Sequence, residues 1–126
     1  MKNIYITFIS HSSSLDNDKQ LASGWNDVAL SARGVEQSKE KGELYKNSNF
    51  DAIFCSDLQR SYKTAEIAFG NTYPIIKDKR LRECDYGDMT QHGREEVESQ
   101  KPFRINEPFP HGESYFETTA RVRSFL

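Results

Sequence analysis

Three short apolar runs in this chain predict buried strands. The first, Ile4–Ile9, is β-branched and aromatic and has no polar face. The second is Phe50–Cys55, and the third is the shorter Pro74–Ile76. Runs that are apolar on both faces are typical of parallel strands with helices packed on both sides. We therefore expect a mainly parallel sheet.

The polar stretches between these runs predict helices. Ser31 is a good N-cap for a polar helix that reaches about Lys46. A second helix is expected from about Leu58 to Phe69, with Gly70 as its stop. One face of that helix is apolar and comprises Leu58, Tyr62, Ala65 and Phe69.

Two more helices are predicted in the second half of the chain. A short one lies near Arg94–Gln100, within a mostly polar stretch. The last opens at Ser114, which forms an S-x-x-E capping box with Glu117. Strands that alternate with helices favour an α/β architecture.

Composition narrows the class of protein. The chain has 126 residues, of which 36 % are apolar and 12 % aromatic, so it fits one small folded domain. The net charge of −2 gives no global electrostatic field that would recruit nucleic acid. The chain contains no run of 18 apolar residues, so the sequence predicts no membrane span. Two cysteines without CxxC spacing predict no disulfide framework, which makes the cytoplasm the default location.

Candidate chemistry follows the ends of the predicted strands. His11 comes directly after the first strand, the second leads into a helix that carries Arg60, and the third leads to Glu83. The carboxyl ends of parallel strands meet at one edge of a sheet. An imidazole, a guanidinium and a carboxyl group there suit an anionic substrate as nucleophile, clamp and proton donor. Taken alone, His11 also fits a loop histidine and Glu83 an ordinary salt bridge.

Five stretches, in order, resemble the histidine phosphatase (phosphoglycerate mutase-like) superfamily. The first stretch, 8–12, contains Ser-His-Ser, and the second, 23–34, contains Gly-Trp-Asn-Asp and Leu-Ser-Ala-Arg-Gly. The third, 50–65, contains Ser-Asp-Leu-Gln-Arg, and the fourth, 80–88, contains Leu-Arg-Glu and Tyr-Gly-Asp. The fifth, 112–122, contains Gly-Glu-Ser and Arg-Val. The resemblance implies a three-layer α/β sandwich, with a mainly parallel sheet and helices on both faces.

The resemblance also implies an activity and a site. His11 matches the nucleophile that becomes phosphohistidine, Arg60 a phosphate clamp, and Glu83 the acid that protonates the leaving oxygen. The positions that match the phosphate-binding mouth are Ser10, Asn17, Ser23 and Gly24. The implied function is hydrolysis of a phosphomonoester of a small molecule, without a cofactor or metal. Sugar phosphates, nucleotides, phosphoglycerate and phosphoproteins all remain open as substrates.

The chain departs from the family pattern in ways that leave alternatives open. Ser10 replaces the signature Arg, and Ser12 replaces the Gly after the nucleophile. The family's second catalytic histidine lies on a later strand, so we expect residues 1–126 to be one domain cut short before its last strand and helix. A catalytically impaired relative that binds a phosphate ester or a protein partner is one alternative. A mutase is another, although the stretch from Glu83 to Pro110 is short for one. An unpaired sheet edge leaves a homodimer open.

Other groupings of residues carry less weight. Cys55, Cys84, His11 and His92 do not have the spacing of zinc ligands. His92 and His111 fit exposed loop histidines, although either could approach the site. The basic residues between the third strand and Glu83 predict a solvated edge, or a rim that steers an anionic substrate, rather than a nucleic-acid site: Lys77, Lys79, Arg80 and Arg82.

Overall fold

A β-α-β unit organises this computed structural model, which describes residues 2–126. Strands β1 (Ile53–Cys55) and β2 (Ile75–Lys77) are parallel, with Phe54 opposite Ile76. The helices are α1 (Leu15–Asp18), α2 (Ala32–Leu44), α3 (Gln59–Phe69), α4 (Arg94–Gln100) and α5 (Tyr115–Phe125). Short 3-10 turns lie at Lys79–Leu81, Gly87–Met89 and Lys101–Phe103. Helix α3 connects the two strands, as a parallel pair requires, and the α/β class is confirmed.

The predicted helix starts are confirmed by their caps. The Ser31 hydroxyl accepts a hydrogen bond from the Gly34 amide at 3.1 Å, and α2 ends at Leu44, two residues before the predicted end. At α5 the Ser114 hydroxyl accepts from the Glu117 amide, and the Glu117 carboxylate accepts from the Ser114 amide, at 3.1 and 3.2 Å. These bonds satisfy amides that a helix start leaves without partners.

Two apolar clusters hold the helices in place. Phe69 of α3 packs against Phe50 and Tyr73, with ring centroids 5.9 and 6.3 Å apart. The second cluster lies between α4 and the chain before α5. It contains Cys84, Tyr86, Val97 and Phe109, each at most 5 % exposed. Burial of such side chains stabilises a fold by about 1.5–3 kcal/mol each, so both clusters help to fix the loops that they border.

The first predicted strand does not form. Residues 4–9 have no strand pairing in the structure, and Ile4, Tyr5 and Phe8 are 84–88 % exposed. A strand needs a neighbour to which its amides and carbonyls can bond. Among residues 2–126 no segment pairs with this one, so the prediction of a buried strand at Ile4–Ile9 is wrong for this structure.

The second strand is shorter than predicted, the third is shifted by one residue to Ile75–Lys77, and both are less deeply buried than predicted. Residues 50–52 precede β1 instead of belonging to it, and Phe54 is 49 % exposed. Of the three β1 residues only Cys55 is buried. The two-stranded sheet has no described strand on the outer side of β1, which accounts for the exposure. Among residues 2–126, no helix is both long enough and apolar enough to cross a membrane.

Candidate functional site

A cavity of about 990 Å³ gathers most of the residues predicted for the site. Its walls include Ser10, His11, Asn17, Ser23, Arg60 and Glu83. They come from the loop before α1, the loop after it, the first turn of α3, and the chain after β2. The cavity is at the upper end of the sizes found for small-molecule sites, so it has room for an organic group beside a phosphoryl group.

One hydrogen bond sets the tautomer of His11. The Nδ1 atom lies 2.7 Å from the carbonyl oxygen of Ser12. A carbonyl only accepts hydrogen bonds, so the assignment that satisfies this contact places the proton on Nδ1. The Nε2 atom of the neutral ring then carries the free lone pair, as a nucleophilic nitrogen must.

The surroundings of His11 favour the neutral ring. The residue is exposed at the cavity mouth, yet the walls around the ring displace enough water to lower its pKa. The nearby positive charges of Arg60 and Lys41 lower the pKa further. The Ser12 hydrogen bond and the negative charge of Glu83 oppose the shift without cancelling it.

The loop that carries His11 is tied to α3. The Ser12 amide donates to the Thr64 hydroxyl at 3.0 Å, and that hydroxyl donates to the Arg60 carbonyl at 2.7 Å. Ser12 itself is 1 % exposed. The chain positions of His11 and Arg60 are therefore linked through buried hydrogen bonds, although 49 residues separate them in the sequence.

Asn17 takes part in the N-terminal cap of α1. Its Oδ1 accepts from the Ser14 amide at 2.9 Å and from the Ser14 hydroxyl at 3.0 Å, which completes the capping box of α1. The residue also lines the cavity. Because Oδ1 is engaged in the cap, the amide nitrogen is the group that Asn17 has to offer to a ligand oxygen.

Arg60 lies under the cavity floor, and its side chain is 4 % exposed. One guanidinium nitrogen donates to the Gly24 carbonyl at 2.8 Å and to Glu83 Oε2 at 3.1 Å. The other terminal nitrogen donates to the Asn26 carbonyl at 3.1 Å. A guanidinium has five N–H donors, so Arg60 retains donor capacity toward the cavity while it fixes the loop at 24–26.

Glu83 is held at both its carboxylate and its backbone. The Tyr86 hydroxyl donates to Oε1 at 2.6 Å, opposite the bond from Arg60. The Glu83 carbonyl accepts from Trp25 Nε1 at 2.8 Å and from Arg121 at 2.6 Å. With 44 % of its side chain exposed, the carboxyl group still meets water.

Ser23 lines the cavity, whereas Gly24, which was also predicted for the phosphate-binding mouth, is not among the wall residues and accepts a hydrogen bond from Arg60 through its carbonyl. The Ser23 hydroxyl donates to the buried Asp16 carboxylate at 2.9 Å, which also accepts from Gln91 at 3.1 Å. Gly24 has φ +52°, and a Cβ there would come within 3.0 Å of the Tyr86 ring. Glycine adopts this backbone conformation without strain, which allows the Gly24 carbonyl to meet Arg60.

The other two histidines, and the basic residues between the third predicted strand and Glu83, lie outside the cavity walls. His92 contacts Glu96 at 3.2 Å, His111 contacts Asp88 at 2.9 Å, and neither lines the cavity walls. Three of the four basic residues predicted for a rim pair with carboxylates: Arg80 with Asp78, Arg82 with Asp57, and Lys77 with Glu66. The fourth, Lys79, lies 5.5 Å from the centre of the Trp25 ring. Such pairing weakens the case for a steering rim. Within residues 2–126, no three potential metal ligands of the His, Cys, Asp or Glu type come together.

Sequence reasoning missed two cavity residues. Tyr86 was seen only as part of a motif, yet its hydroxyl orients Glu83. Lys41 projects from α2 into the cavity wall, where it influences His11. The spacing of Lys41 from Gln37 and Leu44, by four and three residues, places all three on one helix face. This spacing is visible in the sequence, but the sequence does not show which part of the structure this helix face contacts.

The α/β fold of this chain and its sequence both match a known family of proteins. A sequence model of the histidine phosphatase superfamily (branch 1) matches residues 6–126. Phosphoglycerate mutase 1 of Saccharomyces cerevisiae is 34 % identical over 122 residues, which cover 92 % of this chain and 45 % of the yeast protein. The uncharacterized phosphatase PhoE of Bacillus subtilis is 33 % identical over 124 residues, which cover 96 % of this chain and 62 % of that protein.

Solved structures agree with the sequence matches. The alpha-ribazole phosphatase of Shigella flexneri superposes with a TM-score of 0.78 at 26 % identity, over 91 % of this chain and 61 % of that one. The mycobacterial glucosyl-3-phosphoglycerate phosphatase in complex with VO3 gives 0.76 at 28 %, with the same coverages of 91 % and 61 %. The chain belongs to the histidine phosphatase superfamily. It spans about half to two thirds of the length of these relatives.

Proposed function

We propose that this chain hydrolyses a phosphomonoester of a small molecule through a phosphohistidine at His11. The supporting observation is that His11, Arg60 and Glu83 line one cavity, with the Nε2 lone pair of His11 free. The similar structures named above include a glucosyl-3-phosphoglycerate phosphatase and an alpha-ribazole phosphatase. Phosphoryl transfer requires mainly positioning and charge stabilisation, and these are what the cavity residues supply.

In the first step, Nε2 of His11 attacks phosphorus and the bond from phosphorus to the ester oxygen breaks. The lowered pKa of His11 supports this, because only the neutral ring has the electron pair that forms the N–P bond. Arg60 stabilises the negative charge on the equatorial oxygens with the N–H groups that Gly24, Asn26 and Glu83 leave free. The leaving oxygen departs with the bonding pair.

Glu83 supplies the proton that the leaving oxygen needs. Its protonated carboxyl group gives that proton to the leaving oxygen, while Tyr86 and Arg60 keep the group directed at the cavity. In the second step water attacks the phosphohistidine, the N–P bond breaks, and Glu83 accepts the proton that water loses. Inorganic phosphate leaves, and both His11 and Glu83 return to their starting states.

Two further candidates follow from specific observations. Mutase chemistry is suggested by the match to yeast phosphoglycerate mutase 1, and it would show as conversion of 3-phosphoglycerate to 2-phosphoglycerate without release of phosphate. Ligand binding without turnover is suggested by Ser10, which lines the cavity where the family signature carries an arginine. Loss of one electrostatic contact to a transition state costs about 10²–10³ in rate.

Hydrolysis of p-nitrophenyl phosphate tests the proposal. We expect slow release of p-nitrophenol by the chain, none by His11→Gln, and a rate about 10²-fold higher in Ser10→Arg, which restores a charged fork beside the phosphoryl group. If neither the chain nor Ser10→Arg releases product, and neither incorporates phosphate at His11, the proposal is wrong.

A further inference from the structure

One face of α2 forms a wall of the cavity. Gln37, Glu40, Lys41 and Leu44 line it, and their spacing of three and four residues places them on one side of the helix. The other lysine of that stretch, Lys39, is 61 % exposed at the side chain and bonds to Glu36 at 2.9 Å. Lys41 and Lys39 therefore differ in surroundings although only one residue separates them.

Close contacts fix α2 against the His11 loop. A Cβ on Gly34 would lie 1.9 Å from the Ser13 carbonyl oxygen, so only a glycine permits this approach. The Ser38 hydroxyl donates to the Ser12 hydroxyl at 2.9 Å, and the Gln37 amide oxygen accepts from the Ser13 amide at 2.9 Å. The helix cannot shift without breaking buried bonds.

These contacts determine where Lys41 lies. It follows Ser38 by three residues, which is about one helical turn, or about 5 Å along the axis. Ser38 touches the residue next to His11, so the stem of Lys41 starts within reach of the imidazole. The positive charge of Lys41 is among the influences that lower the pKa of His11, as a nearby ammonium should.

Lys41 differs from the other cations of the cavity because it is half-buried and has no carboxylate partner among the described residues, whereas Lys101, which also has no carboxylate partner there, is exposed. Arg60 donates hydrogen bonds to Gly24, Asn26 and Glu83. Arg94 pairs with Glu98 at 3.0 Å. Within residues 2–126 no carboxylate lies within 4.0 Å of the Lys41 ammonium, and the residue is half-buried. An ammonium in such a place binds an anion more strongly than a fully solvated one.

We propose that Lys41 binds the phosphoryl group beside His11 and supplies there the positive charge that Ser10 does not. This inference rests on the proposed function, in that it takes the His11 cavity to be the phosphate site. A lysine makes a point contact through one ammonium group instead of the two parallel bonds of an arginine. It therefore holds the charge near the equatorial oxygens with less control of their orientation.

Binding of inorganic phosphate to the 126-residue chain tests the inference without turnover. We expect Lys41→Gln to weaken binding about tenfold, or about 1.4 kcal/mol, in isothermal titration calorimetry. Lys39→Gln is the matched control on the same helix and should change affinity less than twofold. Lys41→Arg keeps the charge and should bind phosphate as the unaltered chain does. In an NMR titration, Lys41→Gln should also raise the pKa of His11, since it removes a charge that lowers it.

Adding Ser10→Arg to Lys41→Gln provides a second measurement. If the two residues supply the same charge, the double variant should recover most of the lost affinity. Equal phosphate affinity in the chain and in Lys41→Gln overturns the inference, and so does a chain that does not bind phosphate. Hydrolysis separates the two proposals: if phosphate binds through Lys41 while neither the chain nor Ser10→Arg releases product or incorporates phosphate at His11, the proposed function alone is refuted.

Discussion

Replacement of Arg60 by methionine is expected to destabilise the fold as well as the site. Methionine keeps much of the aliphatic packing of the arginine stem and removes the guanidinium. The Gly24 carbonyl oxygen then loses its donor at 2.8 Å, and the Asn26 carbonyl oxygen loses one of two donors, at 3.1 Å, and keeps the Val28 amide. Glu83 loses its bond at 3.1 Å. The loop at 24–26 and the candidate acid are both anchored through this one side chain.

The size of the effect follows from burial. The Arg60 side chain is 4 % exposed, and a hydrogen bond from a charged donor contributes about 1.5–3 kcal/mol. The two carbonyl bonds at the low end of that range account for most of the expected effect. The pair with Glu83 adds well under 1 kcal/mol, because the glutamate side chain is 44 % exposed and solvent screens it. We expect Arg60→Met to lower the free energy of unfolding by about 3 kcal/mol.

Urea unfolding followed by circular dichroism measures this change, with Arg33→Met as the matched control. Arg33 is an exposed arginine in the first turn of α2, and its replacement should alter stability by less than about 0.5 kcal/mol. Arg60→Lys should fall between the two, because one ammonium cannot serve all three acceptors. A loss below about 1 kcal/mol for Arg60→Met would show that the guanidinium does not anchor residues 24–26.

Three further expectations concern individual side chains. An NMR titration should give His11 a pKa below that of histidine in the unfolded chain. The free energy of unfolding should therefore decrease as the pH falls from the unfolded pKa to the folded pKa, because the unfolded chain binds the proton more tightly. A His11 pKa at or above the unfolded value would contradict this. Tyr86→Phe keeps the ring and removes the 2.6 Å bond to Glu83, and it should lower stability by about 1 kcal/mol in urea; an unchanged midpoint would refute the contact. Burial raises the pKa of the Cys55 thiol to about 11, so iodoacetamide should alkylate Cys55 in the native chain at pH 8 far more slowly than in urea, and equal rates would be inconsistent with burial.

Local signals in the sequence were sufficient for most helices. Ser31 and the Ser114–Glu117 pair are helix caps whose bonds span only three residues, and such short-range chemistry is visible in sequence. The α/β class followed from the order of elements, and membership of the superfamily followed from five motifs in order. Both are confirmed.

Long-range contacts were beyond the reach of the sequence. The Arg121 side chain donates to the Glu83 carbonyl at 2.6 Å and pairs with Glu113 at 2.8 Å, yet 38 residues separate Arg121 from Glu83. The run at Ile4–Ile9 predicted a buried strand because its side chains favour one, but pairing also needs a neighbour.

The most direct measurement of the central claim is whether His11 becomes phosphorylated. The chain and Ser10→Arg would be mixed with p-nitrophenyl phosphate, quenched at alkaline pH, digested, and analysed by mass spectrometry. We expect the mass of one phosphoryl group on the peptide that contains His11, lost on acid treatment and absent from His11→Gln. Release of p-nitrophenol while His11 stays unmodified under rapid quench would contradict the account. Equal rates of p-nitrophenyl phosphate hydrolysis by the chain and by His11→Gln would contradict it as well.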